Sequence, residues 1–165
     1  MKNKFFILIL LLLISCQDST LIVDNINFSS SSLQFCSSNS ENLIFFKIKE
    51  SESLILILSD PLPNQDGIST RYFDSYTYLV YRKYDGNINK NYFCSQLTPA
   101  NPKLITELTA ENGEIVINTS ISLNSEGEIN YISYNILISN LILKNENGEI
   151  LIQDNLDFGN YGFSI

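Results

Sequence analysis

The sequence predicts an all-β fold, an antiparallel β-sandwich whose strands are joined by hairpins. Three observations predict it. Apolar and polar residues alternate with a period of two in several segments, Asn-Gly and Glu-Gly pairs separate segments, and no segment carries a sustained helical stripe. Several antiparallel strands joined by short turns, in a chain of this length, favour a sandwich because each sheet must bury an apolar face.

The first strong strand signals lie between residues 43 and 58. In 43–49 the residues alternate, which places Phe45 and Lys47 on one face and Phe46 on the other. The segment Leu54–Leu58 is continuously apolar and too short for a helix, so we expect a strand that is buried on both faces.

Three further segments show the same period. Tyr76–Tyr84 alternates, and Glu114–Leu123 does so most clearly, with inward positions predicted at Ile115, Ile117, Thr119, Ile121 and Leu123. A long strand is predicted from Ile129 to Leu143, and its apolar face changes in the middle, which indicates a β-bulge near Ser139-Asn140. The last predicted strand is Glu149–Leu156, with Ile150 and Ile152 on one side.

The predicted turns share a sequence pattern. Asn112-Gly113, Glu126-Gly127 and Asn147-Gly148 each precede Glu-Ile and a predicted strand. Asn and Gly tolerate positive φ angles, so we predict a hairpin turn at each of the three places.

The N-terminus has the pattern of a secretory signal. Lys2 and Lys4 precede the apolar run Phe5–Ile14, which has about half of the ~20 residues that a membrane-spanning helix needs. The residues Leu13-Ile14-Ser15-Cys16 resemble the lipobox of bacterial lipoproteins. That resemblance implies cleavage before Cys16 and attachment of diacylglycerol to its thiol. The predicted domains are then a signal peptide at 1–15, a lipidated tether at 16–24 and a single β-sandwich at 25–165.

A second resemblance concerns the rest of the chain. The chain looks like small lipoproteins of Flavobacterium-like Bacteroidota in five segments: Val80–Gly86, Phe93-Cys94, Pro99–Pro102, Gly113–Ile117 and the closing Phe158-Gly159-Asn160-Tyr161. The resemblance implies an envelope location and no particular activity. Gln17 after the lipidated cysteine, in place of Asp, favours the outer membrane, in a periplasmic or a surface-facing orientation.

Removal of the signal would leave one strongly acidic domain of 150 residues. Losing Lys2 and Lys4 lowers the basic count from 10 to 8 against 18 acidic residues, a balance of −10. This charge argues against nucleic acid and anionic lipid as partners, because both attract basic patches.

With Cys16 lipidated, Cys36 and Cys94 remain as a pair. An even count outside the cytosol favours a disulfide, worth roughly 4 kcal/mol in the chain-entropy model. The alternative is two buried free thiols.

The search for catalytic chemistry finds little. Histidine is absent, so Ser-His-Asp and Cys-His arrangements and most zinc sites are excluded, and the sequence indicates no cofactor. The acidic residues fall mainly at predicted turns, where solvation explains them, although a glycosidase would need only two. The loop from Asp60 to Gly67 offers oxygen ligands for calcium but lacks the EF-hand spacing, so a plain surface loop is favoured.

Tyrosines supply the candidate ligand-binding surface. Tyr76, Tyr78, Tyr81 and Tyr84 lie on one predicted strand, so that some of them must face outward. Exposed tyrosine suits sugar or protein binding, and the alternative is cross-strand aromatic pairing that stabilises the sheet.

We therefore expect a non-enzymatic, membrane-anchored binding or accessory module whose partner is a glycan or an envelope protein. The alternatives are a purely structural envelope component and, third, a histidine-free hydrolase that uses two carboxylates.

Overall fold

The computed structural model describes residues 25–36, 43–95 and 97–165. Eight strands and one four-residue helix are found in these ranges, and every strand pair is antiparallel. The all-β antiparallel class is therefore confirmed. The elements are β1 (Gln34–Cys36), β2 (Leu43–Lys49), β3 (Glu52–Leu58), β4 (Gly67–Tyr72), β5 (Tyr78–Tyr84), α1 (Asn91–Cys94), β6 (Leu104–Leu123), β7 (Ile129–Lys144) and β8 (Ile150–Ser164).

The strands form one continuous sheet in the order β1-β2-β3-β5-β6-β7-β8. One edge of β6 pairs with β5 near Thr109 and with β4 near Thr119, while its other edge pairs with β7. The sheet curls, so that the ring centroids of Phe35 on β1 and Tyr161 on β8 lie 5.2 Å apart. The structure thus has one curled sheet where the prediction expected the two sheets of a sandwich.

The interior of the curl holds the main core. Phe45, Leu56, Ile117, Ile136 and Phe158, from five different strands, are all fully buried. At one end of the curl, the segment before β1 adds two further buried side chains, Ile26 and Phe28. We call this the closed end.

A second apolar cluster lies on the outer face of the sheet. It consists of Cys36, Phe46 and Ile55, with Phe93 of α1 packed on it. Because Leu56 faces the main core and Ile55 this cluster, the prediction that 54–58 is buried on both faces is confirmed. The sulfur atoms of Cys36 and Cys94 are within disulfide-bonding distance, as predicted, and fasten α1 over the cluster.

Two of the three predicted turns are confirmed, and they are built alike. The side-chain oxygen of Asn124 accepts the N–H groups of Glu126 and Glu128, both at 2.9 Å. The side-chain oxygen of Asn145 likewise accepts the N–H groups of Asn147 and Glu149. In each turn a glycine, Gly127 or Gly148, takes the left-handed conformation that the turn requires.

The third predicted turn, Asn112-Gly113, is wrong. Both residues lie inside β6, where the register with β7 shifts, and Gly113 has a φ of 142°. The same backbone freedom that suits a hairpin also suits a bulge. The bulge lies where the edge of β6 changes its partner from β5 to β4.

The bulge predicted in β7 is confirmed. Asn140 has a φ of 52°, and the buried face changes there from Ile138 to Leu141. Two finer predictions fail: Leu123, at the end of β6, is exposed, and β8 continues to Ser164 instead of ending at 156.

The signal peptide at 1–15, Cys16 and the tether at 16–24 lie outside the described residues. Within residues 25–36, 43–95 and 97–165, no helix combines the length and the apolar character that crossing a membrane requires.

Candidate functional site: an aromatic cleft

The four tyrosines of the predicted binding surface are not brought together. Tyr76 is 70% exposed and precedes β5, Tyr78 and Tyr81 are half-buried on opposite faces of it, and Tyr84 is buried. Tyr81 packs on the main core and meets the ring of Phe28 edge-on. The four residues therefore do not form one exposed surface.

Tyr84 is buried because the chain returns over the outer face after β5. Its ring lies edge-on to that of Tyr92, with centroids 4.8 Å apart, and the Tyr92 hydroxyl donates a hydrogen bond to the carbonyl of Pro102. Burial raises the pKa of Tyr84. The rings of Tyr84 and Tyr92 thus belong to the packed cover of the outer face.

An apolar cleft of about 380 Å³ lies at the end of the curl opposite the closed end. Residues of four strands and of the loop between β3 and β4 line it: Phe35, Leu43, Phe45, Pro61, Leu62, Asn64, Ile132, Tyr134, Tyr161 and Phe163. The position follows from β2, since Leu43 at its start lines the cleft while Lys49 at its end donates a hydrogen bond to the carbonyl of Asn27, beside the closed end.

Five aromatic rings form the walls of this cleft. Phe35, Phe45 and Tyr161 pack mutually, with centroids 5.1 to 5.2 Å apart. Phe163 lies 5.9 Å from Tyr161 and 6.5 Å from Tyr134. Such tilted and edge-on contacts are the favourable arrangement for aromatic side chains, so they hold the walls in place.

The loop from Asp60 to Gly67 forms the rim of the cleft. The Tyr134 hydroxyl donates to the carbonyl of Pro63 at 2.9 Å, and the Arg71 guanidinium donates to the carbonyls of Asp60 and Pro61. The Asp66 carboxylate accepts the N–H of Ile121. One of the carboxylates considered for calcium is thus engaged in a protein contact, and no group of three or more Asp, Glu, Cys or His side chains in the described ranges could hold a metal ion.

The cleft carries no formal charge, since none of its ten lining residues is ionic at neutral pH. Burial raises the pKa of Tyr161, and burial followed by the neighbouring Tyr161 raises the pKa of Tyr134. Both phenols are therefore neutral at physiological pH. They are the hydroxyl groups of the lining, and Asn64 adds one amide.

A larger hollow, of about 820 Å³, lies between β6 and the β7–β8 turn, and it differs in character. Four of its eleven lining residues are glutamates, and Lys144 forms an ion pair with Glu111 at 3.2 Å. Both partners are substantially exposed. Its side chains belong to a solvated surface, so the aromatic cleft is the stronger candidate site.

Sequence reasoning missed the cleft because its walls come from distant positions. Phe35 and Tyr161 are 126 residues apart, and only the curl of the sheet brings their rings into contact. The closing Phe-Gly-X-Tyr was noted, but nothing local indicates what its tyrosine faces.

Comparisons of the chain with protein-family models, with curated proteins and with solved structures found no match. The candidate site therefore rests on the geometry of this chain.

Proposed function

We propose that the protein is a lipid-anchored, non-enzymatic binding module of the cell envelope that holds a small apolar ligand in its aromatic cleft. One observation carries the proposal: five aromatic rings, three aliphatic side chains and one proline line a preformed cleft of about 380 Å³. That volume lies within the range of roughly 300 to 1,000 Å³ typical of small-molecule sites.

The chemistry of the lining favours binding over catalysis. Its polar side chains are two neutral phenols and one amide, which provide neither a nucleophile with a neighbouring base nor a pair of carboxylates. The apolar walls would contribute affinity through area removed from water, and the hydroxyl groups would orient the ligand.

The position of Ile26, which follows the predicted tether, supports a cleft that opens away from the anchoring membrane. Ile26 and Gln153 exchange two hydrogen bonds of 3.2 Å at the closed end, which fixes the segment that follows the tether. Phe163 in the cleft lies ten residues further along β8, about 33 Å away at the rise of a β-strand. An anchor at Cys16 would hold the closed end nearer the membrane.

The proposal is tested with the neutral fluorescent probe N-phenyl-1-naphthylamine and the lipid-free chain from residue 17. We expect saturable binding and a loss of affinity of about tenfold in Phe163→Ser, which removes one wall of the cleft. Ile152→Ser is the matched control, because Ile152 is an exposed apolar residue on the same strand, outside the cleft.

Two results would reject the cleft as the site. Equal affinity of the wild-type chain and Phe163→Ser would place the probe elsewhere. No binding by a folded wild-type chain would favour the purely structural envelope protein instead.

A further inference from the structure

We infer that the ligand is an uncharged amphipathic molecule, with an apolar ring or chain that fills the cleft and a hydrogen-bond acceptor that meets the hydroxyl of Tyr161. This inference rests on the proposed function and names the class of its ligand.

The absence of charge from the lining argues for an uncharged ligand. A charged group buried among these residues would lose its hydration, and the ten lining residues include no acid and no base to pair with it. Two charged side chains at the rim, Asp66 and Arg71, lie outside the lining and are already engaged. Asp66 accepts the N–H of Ile121, and Arg71 donates to the carbonyls of Asp60 and Pro61.

The two phenols differ in what they can offer a ligand. The Tyr134 hydroxyl has committed its proton to the carbonyl of Pro63 at 2.9 Å. No hydrogen bond from the Tyr161 hydroxyl is found in the described part of the chain, although its ring is held by Phe35, Phe45 and Phe163. The half-buried Tyr161 hydroxyl has no protein acceptor in the described ranges, so it can donate to a ligand acceptor in place of water.

Tyr161 is also well placed to orient a ligand. Its half-buried ring forms part of the wall, so that the hydroxyl is held by aromatic packing and not by a flexible stem. A donor fixed in this way loses little conformational freedom on binding, which favours selectivity for an acceptor.

The test compares acetophenone with α-methylstyrene, which have the same shape but carry C=O and C=CH₂ respectively. Both are measured by displacement of N-phenyl-1-naphthylamine from the wild-type chain, Tyr161→Phe and Tyr131→Phe. We expect Tyr161→Phe to lower the affinity for acetophenone about fivefold, the ratio that a typical net hydrogen bond provides. The affinity for α-methylstyrene should change by less than about twofold. Tyr131→Phe, a change outside the cleft lining, should alter neither.

A second arm tests the charge. 8-Anilinonaphthalene-1-sulfonate has the ring system of the neutral probe with an added sulfonate, and we expect it to bind at least tenfold more weakly.

The outcomes separate this inference from the proposed function. If Tyr161→Phe changes the affinities for acetophenone and α-methylstyrene equally, or changes neither, the role of Tyr161 is overturned while the cleft still binds. If the sulfonate binds as well as the neutral probe, the uncharged class is overturned. If the neutral probe does not bind at all, the proposed function fails, and this inference fails with it.

Discussion

Lys47 is the least expected residue of the core. Its alternation with Phe46 predicted that it shares a face with Phe45, and in the structure that face is the interior. Lys47 is only 4% exposed, and its Nζ lies 3.5 Å from the carbonyl oxygen of Asp157. Removal from water lowers the pKa of Lys47, and the charge of Asp157 offsets part of that effect. The stem of Lys47 therefore packs like an apolar side chain, and we expect the burial of its charged amine to lower stability at neutral pH.

Replacing this lysine should stabilise the protein. We expect Lys47→Met to raise the free energy of unfolding by about 1 to 2 kcal/mol at pH 7, because the apolar stem is kept and the buried charge is removed. Since the folded-state pKa lies below 10.5, the unfolded wild-type chain binds more protons, and wild-type stability rises with pH through that window. The advantage of Lys47→Met should therefore be smaller at pH 10.5 than at pH 7.

Urea unfolding at the two pH values measures both effects. The exposed Lys83 provides the control, since Lys83→Met should change the free energy of unfolding by less than about 0.5 kcal/mol. A destabilised Lys47→Met at pH 7, with no pH dependence, would show that the amine contributes favourably.

Among the elements, β6 shows what local sequence can and cannot specify. Period-two alternation predicted its second half, and the change of face in β7 predicted a bulge at Asn140, because each of these signals depends on neighbouring residues. Asn112-Gly113 was misassigned since the pair fits a turn and a bulge equally well. Which of the two forms depends on β4 and β5, the two strands that pair with one edge of β6.

The bulge also makes Gly113 difficult to replace. An added Cβ would lie 2.8 Å from Cε2 of Phe73 and 3.2 Å from the carbonyl oxygen of Ser139, on a backbone with positive φ. We expect Gly113→Ala to lower the free energy of unfolding by about 2 to 4 kcal/mol, from overpacking together with backbone strain.

The control for this change is Gly148→Ala. Gly148 also has positive φ, but nothing lies within 4 Å of its added Cβ, so only the strain of about 1 kcal/mol remains. Thermal unfolding of the two variants separates the contribution of overpacking from that of backbone strain. Equal losses of stability would mean that Phe73 moves aside freely.

At the scale of the whole molecule, the sequence predicted the fold class, and the predicted cysteine pair lies at disulfide distance. The candidate site could not be predicted, because curling brings together rings from the two ends of the domain. The dispersal of the four tyrosines could not be predicted for a similar reason: alternation assigns faces to β5, but the cover formed by residues after it buries Tyr84. Local patterns specified the strands, whereas the cleft arises from the way the strands meet.

The predicted anchor also belongs to this scale. We expect radiolabelled palmitate to enter the full-length protein expressed in its bacterial host and to be absent from Cys16→Ser, because the acyl chains are attached through this residue. Two or more such chains, at about 0.8 kcal/mol per CH₂, would give stable membrane attachment. A double variant with Cys36→Ser and Cys94→Ser removes the other two cysteines and should keep the label. Labelling that persists in Cys16→Ser would refute lipidation at this residue.

The contact between the two ends of the sheet has a thermodynamic consequence. In the described ranges β1 and β2 have no hydrogen-bonded ladder with β8; they meet it through Phe35, Phe45 and Lys47. Two of these three side chains line the cleft, so a molecule that occupies it would touch both margins of the curl at once. Occupancy and folding are then linked equilibria, and saturation at one hundred times the dissociation constant would add about 2.7 kcal/mol to the folded state.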